Sequence, residues 1–232
     1  MEMIKAVCIK ADIIGSRKSG KEILLKSIVQ ELNHTFKKNL LTDFTVRFGD
    51  ELFGIVNDFE AGYKVFRELF LLSRKYKVPL YVGVGFGNIV NKNLKNPDDV
   101  NGQAIWNSAD ALEILQSSTF RGKSAIQSLD KHFKFKVIIG NNNPDSSIAN
   151  YMLYFILEKI KKRTEKQSKA IRLLEQFPTL NYEQIGEYLD YEGENRKANV
   201  SNLLIRAEYN IVRDTEEELI KLIHLIYSEE NK

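Results

Sequence analysis

The sequence has little of what staples small proteins or binds metal in them. Its one cysteine, Cys8, excludes an intramolecular disulfide and a cysteine-based zinc site. Three histidines, His34, His132 and His224, are scattered without ligand spacing. No apolar run approaches the roughly 18 residues that span a bilayer, so no membrane association is expected. The opening stretch MEMIKAVCIKADIIG is apolar but carries Lys5, Lys10 and Asp12 and has no small-residue cleavage site. It reads as a strand and not as a signal peptide. Internal repeats and low-complexity tracts are also lacking. A reducing, cytoplasmic setting is the expectation these absences leave.

What is present is ordinary in amount and uneven in placement. The 232 residues suffice for one domain of about 150 residues and a smaller one. A content of 43% hydrophobic and 28% charged residues is that of a soluble globular protein. The net charge of +3 hides an asymmetry: residues 163–232 hold ten Lys/Arg against fourteen Asp/Glu, about −4, leaving +7 for the rest.

VCIKADII reads as a buried strand, followed by the loop GSRKSG. A helix is expected over KEILLKSIVQELNHTFKK, with Ile23, Leu24, Ile28, Val29 and Leu32 at helical spacing. FTVRF and LFGIV flank Gly49-Asp50-Glu51 as the strands of a hairpin. A second helix is expected from about 61 to 76, then the glycine-punctuated strand LYVGVGFGNIV, the helix GQAIWNSADALEILQ and the strand FKVII. The order β-α-β-β-α-β-α-β predicts an α+β fold, a ferredoxin-like sheet with helices packed on it. From Pro144 to Arg172 the pattern is helical almost without a break, and helices are expected at about 166–177, 181–190, 196–208 and 215–228. The expected division is therefore 1–162 for the sheet domain and 163–232 for a small all-α domain.

Two carboxylates stand out. Asp12 follows an apolar run at a strand end, where a carboxylate must be paired, hydrated or bound to a cation. Asp50 lies at the hairpin tip between Gly49 and Glu51. If the first strand pairs beside the hairpin, both reach one edge of the sheet and can hold Mg²⁺ with a nucleoside triphosphate. Two ions there could activate a ribose hydroxyl and neutralise a leaving pyrophosphate. The plainer alternative is a turn-capping Asp12 and a decorated hairpin loop.

ADIIGSRK resembles the first strand of class III nucleotide cyclases, and RFGDELFGI resembles both their metal hairpin and the GGDEF hairpin of diguanylate cyclases. LYVGVGFGNIV and NGQAIWNSADALEIL are similar to the following cyclase strand and helix. The four motifs together, with a C-terminal helix-turn-helix, resemble the SatD family of small bacterial proteins. The resemblance implies a palm domain with Mg²⁺ held by Asp12, Ile13 and Asp50, and a nucleoside triphosphate or cyclic nucleotide met by Gly15, Ser16, Arg17, Glu51 and Asn107. It also implies a homodimer. One departure matters: active cyclases carry an arginine four residues after the asparagine, and here that position is Ala111. An arginine there would stabilise charge on the pentavalent phosphate, so a binding palm is favoured over a catalyst.

GSRKSGKE also fits G-x-x-x-x-G-K, yet Glu22 occupies the place of the magnesium-binding hydroxyl, and the next strands form a hairpin. An ATPase is disfavoured, whereas backbone N–H groups near Gly15 can still meet phosphate.

YEQIGEYLDYEGENRKANVSNLLIRAEYNIV has helix-turn-helix proportions, with Tyr182, Ile185 and Leu189 facing Val200, Leu203 and Leu204 across a turn at Gly193. ANVSNLLIRA resembles sigma-factor-like recognition helices. On that reading Asn195, Arg196, Lys197, Asn199, Ser201, Asn202 and Arg206 face DNA. The segment's negative charge favours a protein-contact bundle instead. The functional expectation is a nucleotide- or metal-responsive DNA-binding regulator with a degenerate cyclase-like domain. An active nucleotidyl cyclase or polymerase-like enzyme, and a non-catalytic scaffold, are the alternatives.

Overall fold

The computed structural model describes residues 4–16, 20–90, 100–117, 130–141 and 146–229. The chain forms two compact units, one of residues 1–151 with 220–232 and one of residues 152–219. The first is an α+β unit built on a mixed sheet, and the second is helical. No helix among the described residues is long and apolar enough to cross a membrane.

The sheet consists of β1 (Ile4–Ile13), β2 (Leu40–Arg47), β3 (Glu51–Val56), β4 (Leu80–Ile89) and β5 (Phe133–Ile139), in the order β2-β3-β1-β4-β5. β1 runs antiparallel to both β3 and β4, and β4 pairs in parallel with β5. The crossover between β4 and β5 carries α3 (Gln103–Gln116), as a parallel pair requires. β1 is central, and its run Ala6, Val7, Cys8 and Ile9 is fully buried, which fits a strand covered on both faces.

Side-chain alternation sorts the two faces. Val7 meets α2 (Phe59–Lys75), whose Gly62 lies so close that a Cβ there would collide with the valine side chain. α1 (Glu22–Phe36) packs beside α2 and over β2. Its Asn33 closes the irregular register of β2, since its Oδ1 accepts from Phe44 N at 2.7 Å and its Nδ2 donates to Phe44 O at 2.9 Å. The backbone groups that the bulge leaves without ladder partners are satisfied in this way. Contrary to the sequence expectation, Ile23 faces solvent at 75% exposure and Leu25 takes the core position. Both lie within the apolar run, and only the sheet beneath selects between the two helical phases.

α3 covers the opposite face. β4 presents Gly83, Gly85 and Gly87 at the strand period of two, and the helix backbone rests directly on them. A Cβ at Gly85 would lie 2.5 Å from Ser108 N, and one at Gly87 would lie 2.8 Å from Ala104 N. Ala104, Ser108 and Ala111 are fully buried in the contact. The outer edge of β5 is closed by α4 (Ser146–Lys161): Asn150 Oδ1 accepts from Val137 N and its Nδ2 donates to Val137 O, both at 2.8 Å. Side chains thus occupy an edge that would otherwise be free to pair.

The helical pattern that runs almost without a break to Arg172 is interrupted just ahead of the helix expected at about 166. α4 stops at Lys161, and α5 (Glu165–Gln176) starts on a capping box in which Thr164 and Gln167 satisfy each other's backbone. In the helical unit, α5, α6 (Tyr182–Tyr188) and α7 (Arg196–Arg206) share a core of Ala170, Ile171, Ile185, Leu189, Val200 and Leu204. α8 (Tyr209–Glu229) begins six residues earlier than expected, after a two-residue break where Glu208 takes φ 52°. The acidic run 214–218 looks like a helix start, but here it lies inside one.

The glycine contact generates a stability prediction. Gly85→Ala must push a Cβ into the α3 backbone, which has no flexible end to yield, and should cost about 3 kcal/mol or more. Denaturant unfolding checks this; a loss below about 0.5 kcal/mol would refute the packing described.

Candidate functional site

The register of β1 with β3 sets Asp12 opposite Glu51, on the face that α3 covers. Facing residues of neighbouring strands hold their Cβ atoms about 5 Å apart, so these two carboxylates are the adjacent pair. Asp50 stands one residue earlier, in the turn, where its carbonyl accepts from Ile13 N at 3.3 Å. Gly49 at φ 95° and Phe48 at φ 51° bend the chain there, and Phe48 is 93% exposed at the tip. The turn needs the left-handed region at two positions, and glycine accepts that without strain.

The row of facing residues continues on both sides. Arg47 faces Glu51 from β2, while Tyr81 faces Asp12 from β4 and Lys134 faces Tyr81 from β5. One step along β1, Lys10 faces Phe53 with its ammonium 5.7 Å from the ring centroid, and Arg47 lays its guanidinium 3.6 Å from the same centroid. Gln116, at the C-terminal end of α3, donates to Asp12 Oδ2. Burial is the main cause that raises the pKa of Asp12. The bond from Gln116 opposes the rise, and the nearby Asp50 charge adds to it. Glu51 is also raised mainly by burial, with Lys10 pulling it down and Asp12 pushing it up. The carboxylates therefore repel each other in a half-buried position that a cation would relieve.

Among the described residues no three His, Cys, Asp or Glu side chains gather as a metal cage. A Mg²⁺ ion needs no such cage, because one or two carboxylates complete its shell with phosphate oxygens and water. The donor set fits that mode.

Other residues singled out in the sequence lie apart. Gly15 takes φ 72° in open space just beyond β1, and Ser16 follows it. Arg17 lies outside the described residues, as does Pro144. Asn107 is buried in mid-helix: its Nδ2 donates to Phe86 O at 3.1 Å and to Gly140 O at 2.6 Å, and its Oδ1 accepts from Gln103. This side chain ties α3 to β4 and to the end of β5, and it stands nine residues, about 13 Å of helix, before Gln116. Ala111 is fully buried.

In the helical unit, Asn195 is exposed at the start of α7, and Lys197, Asn202 and Arg206 are exposed along it; Asn199 and Ser201 are half-buried. Arg196 departs from the outward orientation expected of it. Its Nε donates to Tyr191 O at 2.8 Å, and its guanidinium approaches Glu187 at 3.3 Å and Glu183 at 3.8 Å. Gly186 makes this possible, since a Cβ there would lie 2.7 Å from the Arg196 Cβ.

The sequence left Lys10 and Gln116 without a role. Lys10 was legible, since strand alternation places it on the face of Asp12 two residues on. Gln116 lies 104 residues from Asp12 in the chain and carried no local signal.

The class defined by these features is a mixed-sheet α+β unit with a half-buried acidic pair at one end of the sheet, joined to a small helical unit. The SatD family profile matches residues 4–144, and the chain belongs to the SatD family. No curated protein and no solved structure matches it.

The raised Asp12 pKa gives a signed prediction. Its contribution to stability is complete below the ordinary aspartate range and is lost as pH climbs through the raised value. Asp12→Asn should therefore raise the metal-free melting temperature at pH 7 by about 1–2 °C, solvent screening keeping the effect small, and flatten its rise between pH 7 and pH 4. Thermal unfolding in chelator across that range measures both effects.

Proposed function

We propose that this protein is a nucleotide-responsive DNA-binding regulator whose sheet unit, a ferredoxin-like palm, binds a magnesium-bound nucleoside triphosphate. The observation that carries this reading is the cross-strand pairing of Asp12 with Glu51 beside Asp50 at the hairpin tip. Asp12 and one of its two acidic neighbours would hold Mg²⁺, with phosphate oxygens completing the shell. Lys10, Arg47 and Lys134 lie in or beside the same row and can meet the remaining phosphate charge. The likeness of ADIIGSRK, FGDELFG and VGVGFGNI to cyclase motifs supports the same site. The buried Ala111 and the fully engaged Asn107 favour binding over catalysis, because neither can reach a reacting phosphate.

The helical unit supports the DNA half. α5, α6 and α7 form a three-helix core with the proportions of a helix-turn-helix, and α7 exposes Lys197, Asn202 and Arg206. Two cations on that helix suit a contact that depends on a few specific bonds more than on bulk charge.

Each half has its own test. Magnesium with ATP, GTP, CTP or UTP should raise the melting temperature, and Asp12→Asn and Glu51→Gln should abolish the shift. An unmoved transition with all four triphosphates would sink the nucleotide reading. Gel retardation on genomic fragments at two salt concentrations addresses DNA: Lys197→Ala should weaken binding and reduce the salt slope by about one. No retardation even at low salt would leave α7 as a protein-contact helix.

A further inference from the structure

All residues of the helical unit, 152–219, are described, and α7 packs into it by one face. Val200 and Leu204, with Ala207 at the C-cap, belong to the core shared with α5 and α6. At about 100° per residue, the opposite line of the helix passes through Ala198, Asn202 and Ile205, and the N-cap residue Asn195 continues it. All four are exposed, Ile205 to 68%, and no described residue occupies the Asn202 carboxamide. From Ala198 to Ile205 the line is about 10 Å long, which matches three base-pair steps.

The cations of α7 stand off this line. Arg196 is turned inward: its Nε donates to Tyr191 O, and its guanidinium pairs with Glu187 and Glu183. Lys197 precedes Val200 by three residues, about 60° from the buried stripe, and so lies on the flank. Arg206 is the last residue of the helix, whereas a recognition helix presents its N-terminal part to the bases. Lys197 and Arg206 are thus placed for phosphates. The groups left to meet base edges are the carboxamides of Asn195 and Asn202 and the apolar side chains of Ala198 and Ile205.

In the major groove adenine offers the N7 acceptor and the N6 donor side by side, and one carboxamide matches both. Thymine adds a methyl group, which apolar side chains meet without leaving a polar group unpaired. Guanine presents two acceptors that a bidentate cation satisfies best, and the line holds none. The acidic balance of residues 163–232 gives little affinity for phosphate charge alone, so base contacts must carry the binding. We propose that α7 reads a short A·T-rich site in the major groove, with Asn202 on an adenine edge and Ala198 and Ile205 on thymine methyl groups. This specificity rests on the DNA contact proposed above.

The full chain is used to select duplexes from a random-sequence pool at low salt, and enriched sites are measured singly by gel retardation. They should share a run of about three A·T pairs. Changing one of these to G·C should weaken binding about tenfold. Reversing it to T·A should weaken binding as well, because only the major groove distinguishes the two orientations. Deoxyuridine in place of a contacted thymine removes its methyl group and should cost about fourfold. Asn202→Arg, checked for an unchanged thermal midpoint, should select guanine where the wild type selects adenine. Enriched sites led by G·C pairs, indifference to T·A for A·T, or an unchanged site in Asn202→Arg overturns the proposal while leaving the protein a DNA binder. No enrichment and no retardation of any duplex removes it together with the DNA contact, and α7 is then a protein-contact helix.

Discussion

The contact on which the sheet unit depends is the one between the α3 backbone and the glycines of β4. With no side chain at Gly83, Gly85 or Gly87, the helix settles onto the strand itself, and the collisions that any Cβ would make show how little space separates them. That proximity buries Ala104, Ser108 and Ala111 completely, and it draws Ser108 within hydrogen-bonding reach of the Cys8 thiol. Burial pushes the Cys8 pKa up to about 11, so the sole cysteine is a packing residue and an unreactive one. Among the described residues, the acidic pair lies at the C-terminal end of this seated helix.

At the C-terminal end, Gln116 reaches Asp12; at the N-terminal end, Gln103 and Trp106 line a cavity with Asn88 and Asn141. Asn107 ties the helix to the sheet by donating to two backbone carbonyls, those of Phe86 and Gly140. The same helix therefore sets the orientation of both regions while keeping them about 20 Å apart. The acidic pair stays partly buried at an electrostatic cost, with Lys10 and Arg47 close enough to offset some of it. A site that destabilises the metal-free protein in this way is the kind that binding a cation would stabilise.

Much of this organisation was legible in the chain. The alternating glycines of VGVGFG, the hairpin around Gly49, the order of elements and the separate helical region follow from periodicity and turn chemistry, which act over a few residues. Asp12 and Asp50 were recognisable as carboxylates near one end of the sheet, because a strand end and a hairpin tip in this order have few other places to go. The helix limits were less secure. The Thr164 capping box broke a continuous helical pattern, and α8 began at Tyr209 ahead of its acidic run.

The sequence by itself determined the alternation of faces, the helix stripes and the residue types available at each strand end, since these depend on local geometry. Only the tertiary structure decided that Glu51 is the residue facing Asp12, that Arg196 turns inward to Glu187, and that Asn107 braces the helix away from the carboxylates. It alone brought Tyr227 from the chain's last helix beside Trp106 and Asn88. Register and long-range packing are set by how whole faces fit together, and a difference of one residue moves a side chain from one surface to the other.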